Sequence, residues 1–456
     1  MAKNSIIISR FGVESNQEMT LKKDAGILSP LLPETAARSS EGASVSGAVF
    51  NVSTSIIGAG IMSIPATLKV LGVIPAVLLI LFIAYLSGVS SDFLLKFTHS
   101  SKSATYAGLM GESFGKTGSV VLQITVMVTT LGCLTIYLII IGDVLSGSTS
   151  DGTLHMGILQ ELFGVQWWNS RAFALLFIVV FVMLPLVLLR RVESLRFTSA
   201  LSVLLAVVFV VISSVMAISA FYKEITKTPK LLPDLAHQTS FLELFTAVPV
   251  IVTAFTFHFN VHPIGAELRK SSDMVSAVRI SLVLCASIYI AVGFFGYLLF
   301  GDSTMSDVLA NFDQEFSYLV GPLLNDTVRL SYALHLVLVF PLLNFSLRAN
   351  IDELLFPKWP LLASHTARFI SLTCFLLVFI YTAAIAIPNI WYFFQFLGST
   401  TAVCVAFIFP GAIVLRDVHE ISTRRDRILA TVMIFLAVIA SSIAISSNVM
   451  NLFRTN

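Results

Sequence analysis

The chain is expected to be an all-α integral membrane protein. It should have about eleven transmembrane helices, in two five-helix halves of opposite sense followed by an extra helix. Three observations carry that expectation. The 456 residues are 56% hydrophobic and only 12% charged, with a mean hydropathy of +0.89. A soluble domain averages about 45–50% apolar and 25% charged residues, so this chain cannot cover itself with polar groups and lipid must be its solvent. Eleven segments approach the roughly 20 mainly apolar residues that cross about 30 Å of hydrocarbon. Two of them, five helices apart, are broken by glycine, histidine or proline where a membrane helix would normally run on.

In order, the segments are 45–69, 72–97, 117–147, 171–189, 197–222, 240–268, 276–300, 327–348, 366–387, 390–415 and 427–452. Span three is long enough to tilt, and Tyr106 to Phe114 ahead of it reads as a short interfacial helix. The organisation that follows is a disordered tail at 1–44, a first half at 45–222 and a linker at 223–239. A second half at 240–415 is followed by a loop plus the eleventh helix at 416–456. The tail is polar and has no long apolar period, and it lacks the apolar core of a cleaved signal peptide.

Basic residues orient the chain. They gather on the side of the tail, as in Lys22/Lys23, Arg190/Arg191, Arg269/Lys270 and Arg424/Arg425, whereas loop 301–326 carries Asp302, Asp307, Asp313, Glu315 and Asp326. The positive-inside rule puts the N-terminus in the cytosol. Span six then enters the membrane from the face opposite to span one, which makes the two halves an inverted repeat.

The first break reads Asn51-Val-Ser53-Thr54-Ser-Ile-Ile57-Gly58-Ala59-Gly60-Ile-Met-Ser-Ile-Pro65. An unpaired backbone N–H or C=O in lipid costs several kcal/mol, so irregular backbone survives only where protein or a polar cavity surrounds it. Paired breaks at corresponding positions of two halves are the mark of a secondary transporter's binding site. Gly58, Ala59 and Gly60 expose nearly bare amides at a half-helix end, suited to a carboxylate. Close packing through small residues is the competing explanation. Ser53 and Ile57 flank this stretch, Thr54 adds a hydroxyl, and Asn51 offers an amide before it.

The second break reads Phe255-Thr256-Phe-His258-Phe-Asn260-Val-His262-Pro263. Phe255, Thr256 and His258 are candidate substrate contacts, and an ionisable group inside a span is by default a functional candidate. Asn260, His262 and Glu267, with Ser331 and His335 in span eight, are candidate ion-coupling or gating residues; imidazole titrates near neutral pH. A histidine hydrogen-bonded to a neighbouring carbonyl is the structural alternative for each.

Other classes are poorly supported. The net charge of +2 makes no case for nucleic acid. No HExxH motif, aspartate pair or serine–histidine motif suggests a membrane enzyme. Cys133, Cys285, Cys374 and Cys404 stand singly, with neither a disulfide framework nor a metal site in their spacing. Asn325-Asp-Thr327 is a glycosylation sequon on the non-cytosolic side.

The stretch from Phe50 to Pro65, the stretch Phe257 to Ile264 with Glu267-Leu268 and its basic pair, and Val328-Arg329-Leu330 through Phe340-Pro341 to Arg348 together resemble the amino acid/auxin permease family. That family includes animal sodium-coupled neutral amino acid transporters and the vacuolar transporters of yeast and plants; the chain looks most like the plant vacuolar-type branch. The resemblance, over 45–452, implies a LeuT/APC-like five-plus-five inverted repeat with discontinuous helices 1 and 6. It also implies an amino acid substrate, ion-coupled alternating access, and a carboxylate held at Gly58–Gly60. Where sodium-coupled members have a second asparagine this chain has Thr54, and where span eight should supply a threonine it has Val337 or Val339. H+ is therefore the expected coupling ion rather than Na+, with no cofactor and a vacuolar or other endomembrane address. Neither break carries a charged side chain that would pair with a charged substrate side chain, which favours neutral amino acids. Sodium symport, and amino acid sensing with little transport, are the alternatives.

Overall fold

A computed structural model describes residues 44–455, apart from 151–152, 190–194, 225, 227, 234–240, 313–321, 358, 361 and 388–389. The expected tail therefore lies, but for Ser44, outside the described residues, as does much of the 223–239 linker. Among the described residues, nine helices are long and apolar enough to cross a membrane, from Val73–Ser100 to Arg424–Met450. A tenth span is the pair Val45–Ile56 and Ala59–Leu71, bent by 49° at its break.

The fourth expected span is the shorter apolar helix Arg171–Val187, interrupted by a π-helical turn at Val179–Met183. At 1.5 Å per residue such a helix is at the lower limit for crossing. Helix Tyr106–Ser146 contains non-helical Gly115 at φ 69°, which separates the expected short helix from span three. A small hairpin, Ser148–Ser150 against Thr153–His155, follows that span.

We number the spans one to eleven in chain order. Span seven (Asp273–Ser303) lies against both halves of span one, and span eight (Leu323–Leu355) runs along spans three and five (Phe197–Tyr222). These contacts enclose the middle of span one and of span six (Leu244–Glu267): residues 51–68 and 249–262 are all buried. The outer surface has the opposite character. Leu78, Val283, Phe375 and Phe435 are 62–70% exposed, a cost in water that a lipid surround removes.

Ion pairs frame this apolar layer at its two ends. Lys96–Asp426 and Arg279–Asp92 lie on the side where span one begins. Glu161–Arg329 and Asp143–Arg171 lie on the other. Asn325, the sequon residue, is 2% exposed, and its amide donates to the Phe312 carbonyl at 3.0 Å. That leaves no acceptor nitrogen open to glycosylation in this conformation.

Candidate functional site

Span one stops being an α-helix at Ile57, which is extended (φ −72°, ψ 95°). Gly58 follows at φ −135°, ψ −158°, and the chain resumes as a 3-10 turn over Ala59–Ser63. Span six pauses at Phe255–Phe257, between helices Ala247–Ala254 and His258–Glu267. A small cavity of about 20 Å³, room for about one water in this conformation, lies between the two interruptions. Gly58, Ala59 and Gly60 line one wall, and Thr253, Ala254 and Thr256 the facing one. Cys133, Tyr137, Phe259, Leu343 and Phe394 close the remainder. The lining therefore joins bare peptide groups to uncharged side chains.

The two glycines have different causes. A Cβ on Gly60 would fall 2.7 Å from the Ala254 Cβ and 2.9 Å from its Cα, so Gly60 lets the two breaks cross in contact. The packing explanation accounts for that position. A Cβ on Gly58 would fall 2.1 Å from the Tyr137 hydroxyl. There the missing side chain makes room for a polar group, which also faces the Ala59 backbone.

Unwinding frees carbonyls that a helix would have satisfied. The Tyr289 hydroxyl faces two of them, Ile56 O at 2.6 Å and Ala254 O at 3.0 Å, so one phenol on span seven ties the ends of both broken helices. Tyr332 on span eight donates to Gly58 O at 2.5 Å. One turn later, His335 places Nε2 3.1 Å from Ile57 O and Nδ1 2.6 Å from Ser202 O on span five. A further chain links spans six, one and eight: Asn260 donates to Ser55 Oγ at 2.9 Å and accepts from Ser346 Oγ at 2.5 Å.

The residues singled out from sequence divide accordingly. Gly58, Ala59, Gly60 and Thr256 line the cavity, although the Thr256 hydroxyl turns back to Val252 O. Ile57 contributes its carbonyl to His335, and Asn260 bridges the spans. The remaining candidates lie elsewhere. Phe255 packs edge-on against Tyr289 at 5.0 Å. Thr54 donates to Ser199 O and pairs with Ser202 Oγ, while Ser53 Oγ and Asn51 Oδ1 are buried without a hydrogen-bond partner.

His258 is buried with neither ring nitrogen in a formed hydrogen bond; it faces the Ser87 carbonyl and the Phe407 ring, not the cavity lining. His262 meets Thr98 Oγ1 at 2.8 Å and stacks on Tyr106, toward the side where span one begins. Ser331 bonds back to Val328 O, and Glu267 sits at the end of its helix. Sequence reading missed Ser55, Tyr137, Tyr289, Tyr332 and Ser346. The tyrosines carried a usable signal, because a buried phenol needs a partner for its hydroxyl.

Over the second half of span one lies the segment after span seven. Ser63 donates to Ser306 O at 2.7 Å and Lys69 to Thr304 O at 3.1 Å. Asp307 in this segment is 6% exposed; Oδ1 caps the Leu309 amide and Oδ2 has no hydrogen-bond partner. Burial, with Asp143 nearby, pushes its carboxyl up to about 7, against the opposing influence of the Leu309 amide and Arg329.

A helical membrane protein with two interrupted spans around a small cavity has the form of a solute carrier. The comparisons agree. A transmembrane amino acid transporter protein family model matches residues 41–451, and the chain belongs to that family. It is 62% identical over 424 residues to amino acid transporter AVT6C of Arabidopsis thaliana, covering 92% of this chain and 98% of that one. Amino acid transporter AVT6A of the same plant is 50% identical, with 94% and 95% covered. Solute carrier family 38 member 10 of Rattus norvegicus is 27% identical over 82% of this chain and 33% of its own length.

Among solved structures, MhsT in complex with L-phenylalanine superposes with a TM-score of 0.60 at 15% identity, covering 89% of this chain and 99% of MhsT. A manganese transporter of Eremococcus coleocola gives 0.53 at 15% identity, with 90% and 87% covered. These likenesses establish the LeuT-type fold. The family is one of transporters, not enzymes.

Proposed function

We propose that the chain moves neutral amino acids across an endomembrane, the vacuolar membrane in the first instance, by proton-coupled alternating access with the N-terminus in the cytosol. The observation that carries the reading is the cavity lining. Exposed amides at the start of the second half of span one favour a carboxylate, and the carbonyl end of the helix finishing at Ala254 favours an ammonium. Tyr137 supplies a hydroxyl beside the former. Beyond these lie Cys133, Phe259, Leu343 and Phe394, which offer no charge to a substrate side chain. A charged side chain buried there without a partner would cost several kcal/mol.

Proton rather than sodium coupling is supported by the donor groups. Thr54 is engaged with span five, and Val337 and Val339 bring only hydrocarbon. The test is flux into vesicles containing the purified chain, with labelled alanine, lysine and glutamate under separate pH and sodium gradients. Alanine uptake driven by the pH gradient and indifferent to sodium is expected. Uptake that requires sodium would overturn the proton clause, preference for lysine or glutamate the neutral one, and binding without flux or exchange the transport reading.

A further inference from the structure

We propose that His335 is the group that carries the coupling proton, and that its second ring proton latches the opened carbonyl of Ile57 to span five. The inference rests on the transport reading above and deepens it. It begins with a count of protons. Both ring nitrogens of this fully buried side chain face carbonyl oxygens, Ser202 O at 2.6 Å and Ile57 O at 3.1 Å. A carbonyl oxygen only accepts. A neutral imidazole has one N–H and one lone pair, whereas the imidazolium has two N–H groups. Only the charged ring can hydrogen-bond to both oxygens. In the neutral ring, the shorter contact keeps its proton on Nδ1, which leaves the Nε2 lone pair directed at Ile57 O.

Ile57 O is the carbonyl most changed by the break. In a continuous helix it would accept from Ile61 N, four residues on; here that amide turns instead to Gly58 O, at 3.3 Å. Span eight answers both carbonyls from successive turns, Tyr332 at Gly58 and His335 at Ile57, with the two rings stacked at 4.9 Å. The phenol has one proton, donated to Gly58 O, whereas the imidazole can carry one or two. Proton occupancy at Nε2 thus decides whether Ile57 O, one residue before the candidate substrate amides, is satisfied.

Carbonyl, hydroxyl and aromatic groups surround His335. Tyr332 is the titratable neighbour on its own span. Tyr289 of span seven and Tyr137 of span three lie beyond it, and Asp307 of the outer segment acts on Tyr332. Span five presents Ser199 and Ser202, and span one Thr54, none of which titrates near neutrality. Among the described residues, no carboxylate forms an ion pair with His335, so two carbonyl dipoles compensate its charge. A substrate seated on the Gly58–Gly60 amides shifts the Ile57 carbonyl and thereby the affinity for the proton. By linkage, the proton shifts the affinity for the substrate by the same factor.

The test compares wild type with H335Q, whose amide never takes up a second proton, in vesicles given labelled L-alanine. The readout is gradient-driven accumulation relative to exchange at equal pH. That ratio is expected to fall about tenfold or more in H335Q, and the pH dependence of alanine binding to flatten. A merely structural role would lower accumulation and exchange together and leave the binding profile's shape intact. H335N serves if H335Q does not fold.

Proton uptake or release on alanine binding, followed with an indicator dye in weak buffer, supplies a readout on the wild type itself. Undiminished pH-driven accumulation in H335Q would overturn the assignment. A wild type that exchanges alanine without binding or releasing a proton would overturn it too, but leave transport standing. A wild type that neither binds nor exchanges alanine, lysine or glutamate would overturn the transport reading, and this assignment with it.

Discussion

The two interruptions are alike in sequence and unlike in construction. Span six makes its own turn: Phe255 N bonds to Ile251 O and Val252 O, Thr256 N to Thr253 O, and Asn260 N to Phe257 O. Span one bends by 49° and relies on other helices, since Ile56, Ile57 and Gly58 present their carbonyls to Tyr289, His335 and Tyr332. Span six also draws on neighbours, through Tyr289 at Ala254 O and Ser346 at Asn260, but its turn is closed mainly by its own backbone and should respond less to what its supports do. On the proposed mechanism, movement and ion coupling would fall to span one, and span six would serve as the more rigid wall.

The sharpest way to break this contrast is to separate the two interruptions. Gly60→Ala places a methyl against the backbone of Ala254, which has no rotamer by which to move aside. Alanine exchange in vesicles is expected to fall about a hundredfold, the scale of a 1 Å misplacement in a reacting site. Thr256→Ala on the facing wall removes a hydroxyl satisfied within its own helix and should cost far less. Equal losses would contradict the asymmetry.

The supports come next in expected size. Tyr289→Phe and Tyr332→Phe each remove one O–H donor, the first shared between Ile56 O and Ala254 O and the second held by Gly58 O, at about 1–3 kcal/mol for a buried carbonyl left unsatisfied. Thermal unfolding in detergent should show both variants destabilised by similar amounts. An unchanged melting temperature in Tyr289→Phe would mean that Tyr289 does not tie the two ends.

Asp307 sharpens the comparison from the segment lying over span one. Its carboxyl is raised from 3.8 to about 7, so the folded state binds the proton more tightly than the unfolded state does. Its stabilising contribution is complete below the unfolded value and is lost as pH rises through the folded one. The wild-type melting temperature, measured relative to Asp307→Asn, should therefore fall between those two values and level off above about 7. A difference that grows in the opposite direction would remove Asp307 from the account. The smallest effect is expected at His258, which faces Ser87 and Phe407: His258→Phe should leave alanine exchange close to wild type, and its loss would restore His258 to the site.

Span positions were legible in the sequence because hydrocarbon thickness imposes a length and a composition that hydropathy reports directly. The first break was legible because Gly58 and Gly60 are unusual in a span; the second falls at Phe255–Phe257, and His258, His262 and Pro263, expected to interrupt the span, lie inside the helix that follows. The direction of a side chain was not legible. His258 and His262 looked alike as intramembrane titratable groups, yet the fold turns the first toward span two and the second onto Thr98 and Tyr106. Span four fell short because its helix ends at Val187, two residues before the expected bound, a local ending that average hydropathy does not report. Tyr289 reaches Ile56 across 233 residues of chain, a partnership that no local pattern encodes. Each half of that contact looked like ordinary packing.

The most direct test of the central claim uses a thiol already in the cavity. Cys133 lines it, whereas Cys374 lies on span nine away from it. Saturating L-alanine should slow alkylation of Cys133 in the purified protein and leave Cys374 unaffected. Unchanged Cys133 reactivity in the presence of an amino acid that the vesicles demonstrably exchange would contradict the claim that the substrate sits between the two interrupted helices.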